Sequence, residues 1–190
     1  MGLNSAMPAI VEREIKLRFE DPTTARAAVL AAGATPVRAR RLQDDALLDT
    51  VDESLRRQRC VLRVRIESGK SLITFKGPVQ ASLVKVRDEL ETIASDGDAL
   101  LRILEALGYQ IWFRYQKYRE EFAADDVIVA VDETPVGTFV EIEGGERAIE
   151  DMASALGRTA SDYLLDSYRR IYVSDCAARG VPPGHMIFED

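Results

Sequence analysis

Cysteine, histidine and long apolar runs are what this sequence has least of. Its two cysteines, Cys60 and Cys176, are too few and too far apart for a metal-knuckle pattern, and they read as reduced thiols of a cytosolic protein. One histidine, His185, leaves zinc sites and Ser-His or Cys-His catalysis without their parts, and so near the C-terminus it reads as merely solvated. Any metal should then be a hard cation bound through oxygen. No apolar run approaches the roughly 20 residues that span a bilayer, and the N-terminus lacks the basic start and apolar stretch of a secretory signal. A cytoplasmic location is expected, with no membrane partner. The opening "MGLNSA" has Ala6 where a myristoylation signal wants Ser or Thr, so residues 1–9 read as a lead-in. The formal net charge of -7 argues against a general nucleic-acid binder, although the 25 Lys and Arg can still be concentrated in one place.

What is present suits one compact domain. A length of 190 residues with 46% hydrophobic and 30% charged side chains supports a core without staples. "DPTTARAAVLAAGA" has Asp21 to cap, Pro22 at a first helical position and Gly33 to stop, which predicts a helix over 22–32. Residues 36–49 read as extended, and "CVLRVRIESGKSLITFKG" as a hairpin turning near Ser68 and Gly69. Residues 84–93 alternate again, and "DGDALLRILEALGY" is a helix capped by Asp96 or Asp98 and ended by Gly108. Extended runs follow at about 109–122, 126–134 and 137–143, the last two joined through "TPVG". "ERAIEDMASALG" and "ASDYLLDSYRRIY" show helical spacing, in which Tyr163 and Tyr168 read as core packing rather than base-stacking platforms. The domain is expected over 10–178, with 179–190 as a tail; no repeat, linker or low-complexity block divides the chain.

The strands place ionisable groups on one face. In "VEREIKLRF", Glu12, Glu14, Lys16 and Arg18 alternate with Val11, Ile15, Leu17 and Phe19. Later strands repeat this with Arg63 and Arg65, then Thr74 and Lys76, then Lys85, Arg87, Glu89 and Glu91. Lys117, Arg119 and Glu121 share a face, Asp132 ends a valine-backed run, and Glu141 and Glu143 alternate against Val140 and Ile142. Each strand alone could simply have a wet side. A wet side tolerates Ser, Thr, Asn and Gln, however, whereas these faces are almost wholly ionisable, with Glu on the first and last strands and Arg and Lys in the middle. If the eight strands close, the charged sides line a barrel interior whose outside is packed by helices. Buried charge is costly unless paired or coordinated, so a polyanion site with metals follows.

These residues resemble the CYTH superfamily, the triphosphate tunnel metalloenzymes. "EREIK" matches its Glu-x-Glu-x-Lys signature, and "LRVR", "LITFKGP", "VRDELE", "KYR" and "VDETPVGTFVEIE" continue the match in order over residues 11–143. The resemblance implies an α+β fold, an eight-stranded antiparallel closed barrel forming a tunnel that holds a linear triphosphate. It implies Lys16, Arg63, Arg65, Lys76, Lys85, Arg87, Lys117 and Arg119 as substrate ligands, with Lys76 the catalytic candidate. Glu12, Glu14, Glu89, Glu91, Asp132, Glu141 and Glu143 are the metal candidates, because carboxylates meet phosphate only through a bridging Mg²⁺ or Mn²⁺. Glu89 and Glu91 can equally hold the arginines in place. The expected partner is a small triphosphate (tripolyphosphate, ATP or thiamine triphosphate), and a homodimer is compatible with this reading. Leu47 and Leu48 stand where members of the thiamine triphosphatase type carry Tyr, which leaves a Lys-Tyr catalytic pair unsupported; "FKGP" and Lys85 are closer to the class IV adenylate cyclase branch. Hydrolysis is the preferred reaction. Cyclisation of ATP to cyclic AMP and pyrophosphate, and a non-catalytic polyphosphate- or nucleotide-binding module, are the alternatives.

Overall fold

The structure, a computed structural model, describes residues 10–189; the expected lead-in and its myristoylation reading lie outside them. Strand β1 (Ile10–Phe19) is followed by α1 (Pro22–Ala31), β2 (Thr35–Thr50), the short α2 (Ser54–Arg57), β3 (Val61–Glu67), β4 (Lys70–Lys76) and β5 (Lys85–Ala94). Then come α3 (Gly97–Ala106), β6 (Tyr109–Ala124), β7 (Val127–Thr134), β8 (Gly137–Gly144), α4 (Glu146–Ala155) and α5 (Tyr168–Arg179). The strands form a closed antiparallel barrel in the order β1-β5-β4-β3-β2-β6-β7-β8. None of the helices among the described residues is long and apolar enough to cross a membrane.

Local chemistry explains the ends of these elements. Asp21 accepts from the Thr24 amide at 2.9 Å with Pro22 at the first position of α1, and Asp96, not Asp98, caps α3 by accepting from the Ala99 amide at 2.8 Å. The β3–β4 hairpin turns on Ser68 and Gly69, whose φ angles of 49° and 75° suit a tight turn between right-twisted strands. Closure depends on β1, whose first half pairs with β5 and whose second half pairs with β8.

The apolar faces point out of the barrel. Ile15, Leu17, Val129, Val140 and Ile142 are fully buried against Val29 of α1 and Ile149 and Ala153 of α4. Leu104 of α3 packs on Leu48, Leu62 and Val64. A third cluster joins Tyr168 and Ile171 of α5 and Met186 to Leu47, Phe113, Tyr115 and Phe139. By strand alternation those last four share the inward faces of the charged residues, so α5 packs an aromatic cluster into one end of the barrel, where Trp112 and Arg169 still line the cavity.

The chain after α4 departs from expectation. Helical spacing over 160–172 predicts a continuous helix, but only a short 3-10 turn at Ala160–Asp162 forms before the backbone becomes extended. Leu164 exchanges backbone hydrogen bonds with Lys16 at 2.9 and 3.1 Å, which competes with helix formation, and Ser167 then caps α5. The tail beyond α5 is anchored as well: Met186 exchanges backbone bonds with Arg114 and Gln116 of β6, and His185 accepts from the Arg114 amide through Nδ1 at 3.1 Å.

Candidate functional site

Alternation in eight closed strands builds a cavity of about 730 Å³ inside the barrel. Fourteen of the expected site residues line it: Glu12, Glu14 and Lys16 on β1; Arg63 and Arg65 on β3; Lys76 on β4; Lys85, Arg87, Glu89 and Glu91 on β5; Lys117 and Arg119 on β6; Glu141 and Glu143 on β8. Closure explains the segregation of sign in the sequence. The first and last strands become neighbours, placing Glu14 opposite Glu143 and Lys16 opposite Glu141. Asp132 differs from the rest: it lies behind the cavity wall, completely buried. Its carboxylate accepts from Lys117 Nζ at 2.8 Å, Arg119 Nε at 2.7 Å and the Tyr168 hydroxyl at 2.6 Å. It is the hub that orients two bases.

Most of the bases are held by acids. Lys16 Nζ lies 2.8 Å from Glu14 and 3.2 Å from Glu141, Lys85 also bonds Glu14, and Lys76 Nζ bridges Glu12 at 2.5 Å and Glu89 at 2.8 Å. Arg65 donates to both oxygens of Asp45 at 2.9 and 3.2 Å. Arg63 reaches Thr74 at 3.0 Å and Glu91 at 3.4 Å. Arg87 instead donates to the backbone carbonyls of Gly77 and Arg59. Desolvation of this many ions is expensive and is offset by pairing rather than made favourable by it.

The titration directions follow from these neighbours. Burial alone would raise the Glu14 pKa, but Lys16 and Lys85 hold it well below the usual carboxylate range. Lys16 is correspondingly raised, because Glu14 and Glu141 override its burial. Lys117 is pushed down to about 8 by burial and by the charge of Arg119, which together outweigh Asp132. Glu12 is raised by burial and by Glu14. Glu143 opens to water through the lumen while protein surrounds its other sides; that desolvation, with the charges of Glu12 and Glu14, pushes it up to about 7.

Three buried atoms in this wall have no hydrogen-bond partner among the described residues: Glu12 Oε2, Gln43 Oε1 and Arg63 Nε. An unmatched carboxylate oxygen beside raised acids suits a cation, and a guanidinium N–H whose nearest carboxylate, Asp45, stands 3.5 Å away without a hydrogen bond can still take an anion. The acids as they stand are engaged by bases, and no three of them are gathered into a ligand set among the described residues.

Several participants escaped the sequence reading. Asp45, fully buried, anchors Arg65 and lies 3.5 Å from Arg63. Tyr115 lines the same wall, its hydroxyl pushed up to about 12 by burial and Asp45. Tyr168 does pack in the core, but its hydroxyl also serves Asp132, and Lys117 Nζ lies 4.7 Å from its ring centroid. At the far end Arg41 joins Glu67 at 2.9 Å and Glu121 at 2.8 Å, and Glu67 is held down to about 2, its burial outweighed by bonds from Arg41 and Gln43. The alternation Gln43, Asp45, Leu47 on β2 and the continuation of Arg63 and Arg65 to Glu67 carried the signal for the strand members. Tyr168 had none, because its place depends on where α5 docks.

Comparisons with known proteins agree with this architecture. The CYTH domain matches residues 11–171. A Methanocaldococcus jannaschii protein bearing a provisional adenylate cyclase name is 27% identical over 135 residues, 70% of this chain and 77% of that protein. Among solved structures, a Vibrio parahaemolyticus protein with the same kind of provisional name superposes with a TM-score of 0.75 at 22% identity, covering 86% of this chain and 98% of that one. A Hippeastrum protein, described as an adenylyl cyclase candidate with a dominant triphosphatase activity, superposes at 0.62 with 17% identity over 90% and 97% of the two chains.

Proposed function

The chain belongs to the CYTH domain family, and from that premise we propose that its barrel binds a linear triphosphate and hydrolyses it with the help of Mg²⁺ or Mn²⁺. The observation that carries this reading is the charged lumen, in which bases are kept in place by exchangeable acid partners while Glu12 Oε2 has no hydrogen-bond partner among the described residues. A triphosphate competes with carboxylates for the same donors. As Arg63, Arg65, Lys76 and Lys85 turn to phosphate oxygens, acids on β1 and β8 lose their partners and become available to a cation.

Glu12, Glu14, Glu141 and Glu143 would hold that cation, with Glu89 and Glu91 as further ligands or as anchors of Lys76 and Arg63. When bound, such a cation screens phosphate charge and makes water a better nucleophile. The chain itself supplies orientation and charge. Arg63 and Arg65 fix the phosphate chain with planar donors, and Asp132 keeps Lys117 and Arg119 aimed at it. Lys76, the catalytic candidate, sits between Glu12 and Glu89 and donates to the phosphoryl group as charge develops on it.

Hydrolysis is preferred to cyclisation because water reaches phosphate throughout an open lumen, whereas cyclisation requires a nucleoside held with its 3′ oxygen in line. The adenylate cyclase names of relatives favour cyclisation as the second reading; the description of the Hippeastrum protein favours hydrolysis. Incubation with Mg²⁺ or Mn²⁺ and, separately, tripolyphosphate, thiamine triphosphate and ATP decides between them when the products are separated. Orthophosphate from tripolyphosphate without cyclic AMP from ATP is expected. Cyclic AMP with pyrophosphate overturns the preference.

A further inference from the structure

Two bases without an acid partner among the described residues lie at the α5 end of the cavity, as Lys70 does elsewhere in its lining, while Arg87 is held by backbone carbonyls. In the lumen Arg63, Arg65, Lys76, Lys117 and Arg119 each have a carboxylate within 4 Å. Arg59 and Arg169 also line the cavity, and neither forms an ion pair or a side-chain hydrogen bond among the described residues. Arg59 is nevertheless fixed at its backbone, which adopts a left-handed φ of 58° and whose carbonyl accepts from Arg87 of the tunnel wall at 3.2 Å.

Arg169 is fixed by an aromatic seat. Its Cζ lies 4.6 Å from the Trp112 ring centroid and 5.2 Å from that of Phe113, and Arg56 Cζ lies 4.4 Å from the same indole. Strict alternation would turn Trp112 away from Phe113 and out of the barrel. The register between β2 and β6 slips here, with Leu47 opposite Phe113 but Leu48 opposite Ile111, and this bulge brings Trp112 to the cavity. Burial and the charge of Arg56 both act against the Arg169 guanidinium, and Arg56 itself is neutralised by Asp49 at 3.0 Å. Arg59 is exposed and Arg169 half-buried, so water solvates both, and an anion from outside can replace that water without first breaking an ion pair.

We propose that this mouth, built from Arg59, Arg169 and Trp112, is a subsite for a further phosphate, so that the ligand the barrel takes best is a condensed phosphate chain longer than three. The proposal rests on the triphosphate reading above and adds to it. A guanidinium over an indole face keeps its in-plane N–H donors free, which suits phosphate oxygens. A nucleobase has less to gain there, because the indole already carries two guanidinium groups.

Calorimetric titration of the full chain with the magnesium complexes of tripolyphosphate, tetrapolyphosphate and ATP, in the cold and with each ligand checked to be intact afterwards, tests this. One added pair of charge-assisted bonds corresponds to about tenfold or more, so tetrapolyphosphate should bind about tenfold more tightly than tripolyphosphate. Arg59→Ala combined with Arg169→Ala should bring the two within about twofold of each other by weakening tetrapolyphosphate alone, and Arg169→Lys should recover part of the loss. An unchanged tripolyphosphate affinity in these variants certifies the fold. Equal affinities in the unaltered chain, or equal losses for both ligands in the variants, overturn the proposal. A loss confined to ATP overturns it in favour of a nucleoside site. If tripolyphosphate itself fails to bind, the triphosphate reading falls and takes the subsite with it, an outcome distinct from a fourth phosphate that adds nothing.

Discussion

Ile15 and Glu14 are adjacent on β1, and both are buried, but by opposite physics. Ile15 points out of the barrel into a layer shared with Leu17, Val140, Ile142 and Ile149, where removal of apolar surface from water stabilises the fold. Glu14 points into the lumen between Lys16 and Lys85, where desolvation is unfavourable and pairing only offsets it. The outer layer holds the barrel shut. The ion pairs of the inner layer do little more than offset their own desolvation, which suits the proposed triphosphate site, where donors must exchange partners.

The strongest break of this contrast is removal of the cation. Chelator should abolish turnover while leaving the unliganded fold intact by circular dichroism, because apolar burial between the strands and the helices holds the barrel together; persistent turnover would end the metal-dependent reading. Next in size is Asp132→Ala. It strips Lys117 and Arg119 of a completely buried partner, and equilibrium denaturation should show a loss of about 3–5 kcal/mol. Ile149→Ala, in the outer layer, should cost about 2–4 kcal/mol through lost burial and a residual cavity, yet leave the rate per folded molecule within about twofold. If it alters KM strongly, the two layers are not separable.

The smallest effect concerns Glu143. Its folded pKa of about 7 lies above the ordinary 4.5, so the native state binds the proton more tightly and loses stability as pH rises between those values. Glu143→Gln should therefore raise the melting temperature of the unliganded protein above pH 7 and leave it unchanged below pH 4.5. With substrate and Mg²⁺ present the same change should slow turnover instead. A melting curve identical to that of the parent protein at both pH values would remove Glu143 from the acid cluster.

Much of this architecture was legible in the chain. The two-residue period of β1, β3, β5 and β8 separates wall from lumen, and the signals at Asp21, Asp96, Ser68 and Gly69 place the turns and caps. The period misled where a local rule met a long-range one. Over 160–172 the helical spacing was real, but pairing of Leu164 with Lys16 pulled the segment straight and delayed the helix to Tyr168. At Trp112 a bulge overrode the alternation. Asp45 alternates as a lumen residue should, but nothing in its own strand announces that Arg63 and Arg65 will face it from β3.

The sequence by itself determined which face of each strand is charged, because successive side chains of an extended backbone must point to opposite sides whatever surrounds them. It also determined that those charges are too uniform and too segregated for an ordinary wet surface. Only the tertiary structure decided which acid meets which base. That Glu14 lies between Lys16 and Lys85, that Asp132 withdraws behind the wall to hold Lys117 and Arg119, and that Arg169 reaches the mouth on the Trp112 ring all depend on the closure of β1 between β5 and β8 and on the docking of α5. Ion pairing acts over a few ångströms in space and carries no period along the chain, so its partners exist only once the barrel has closed.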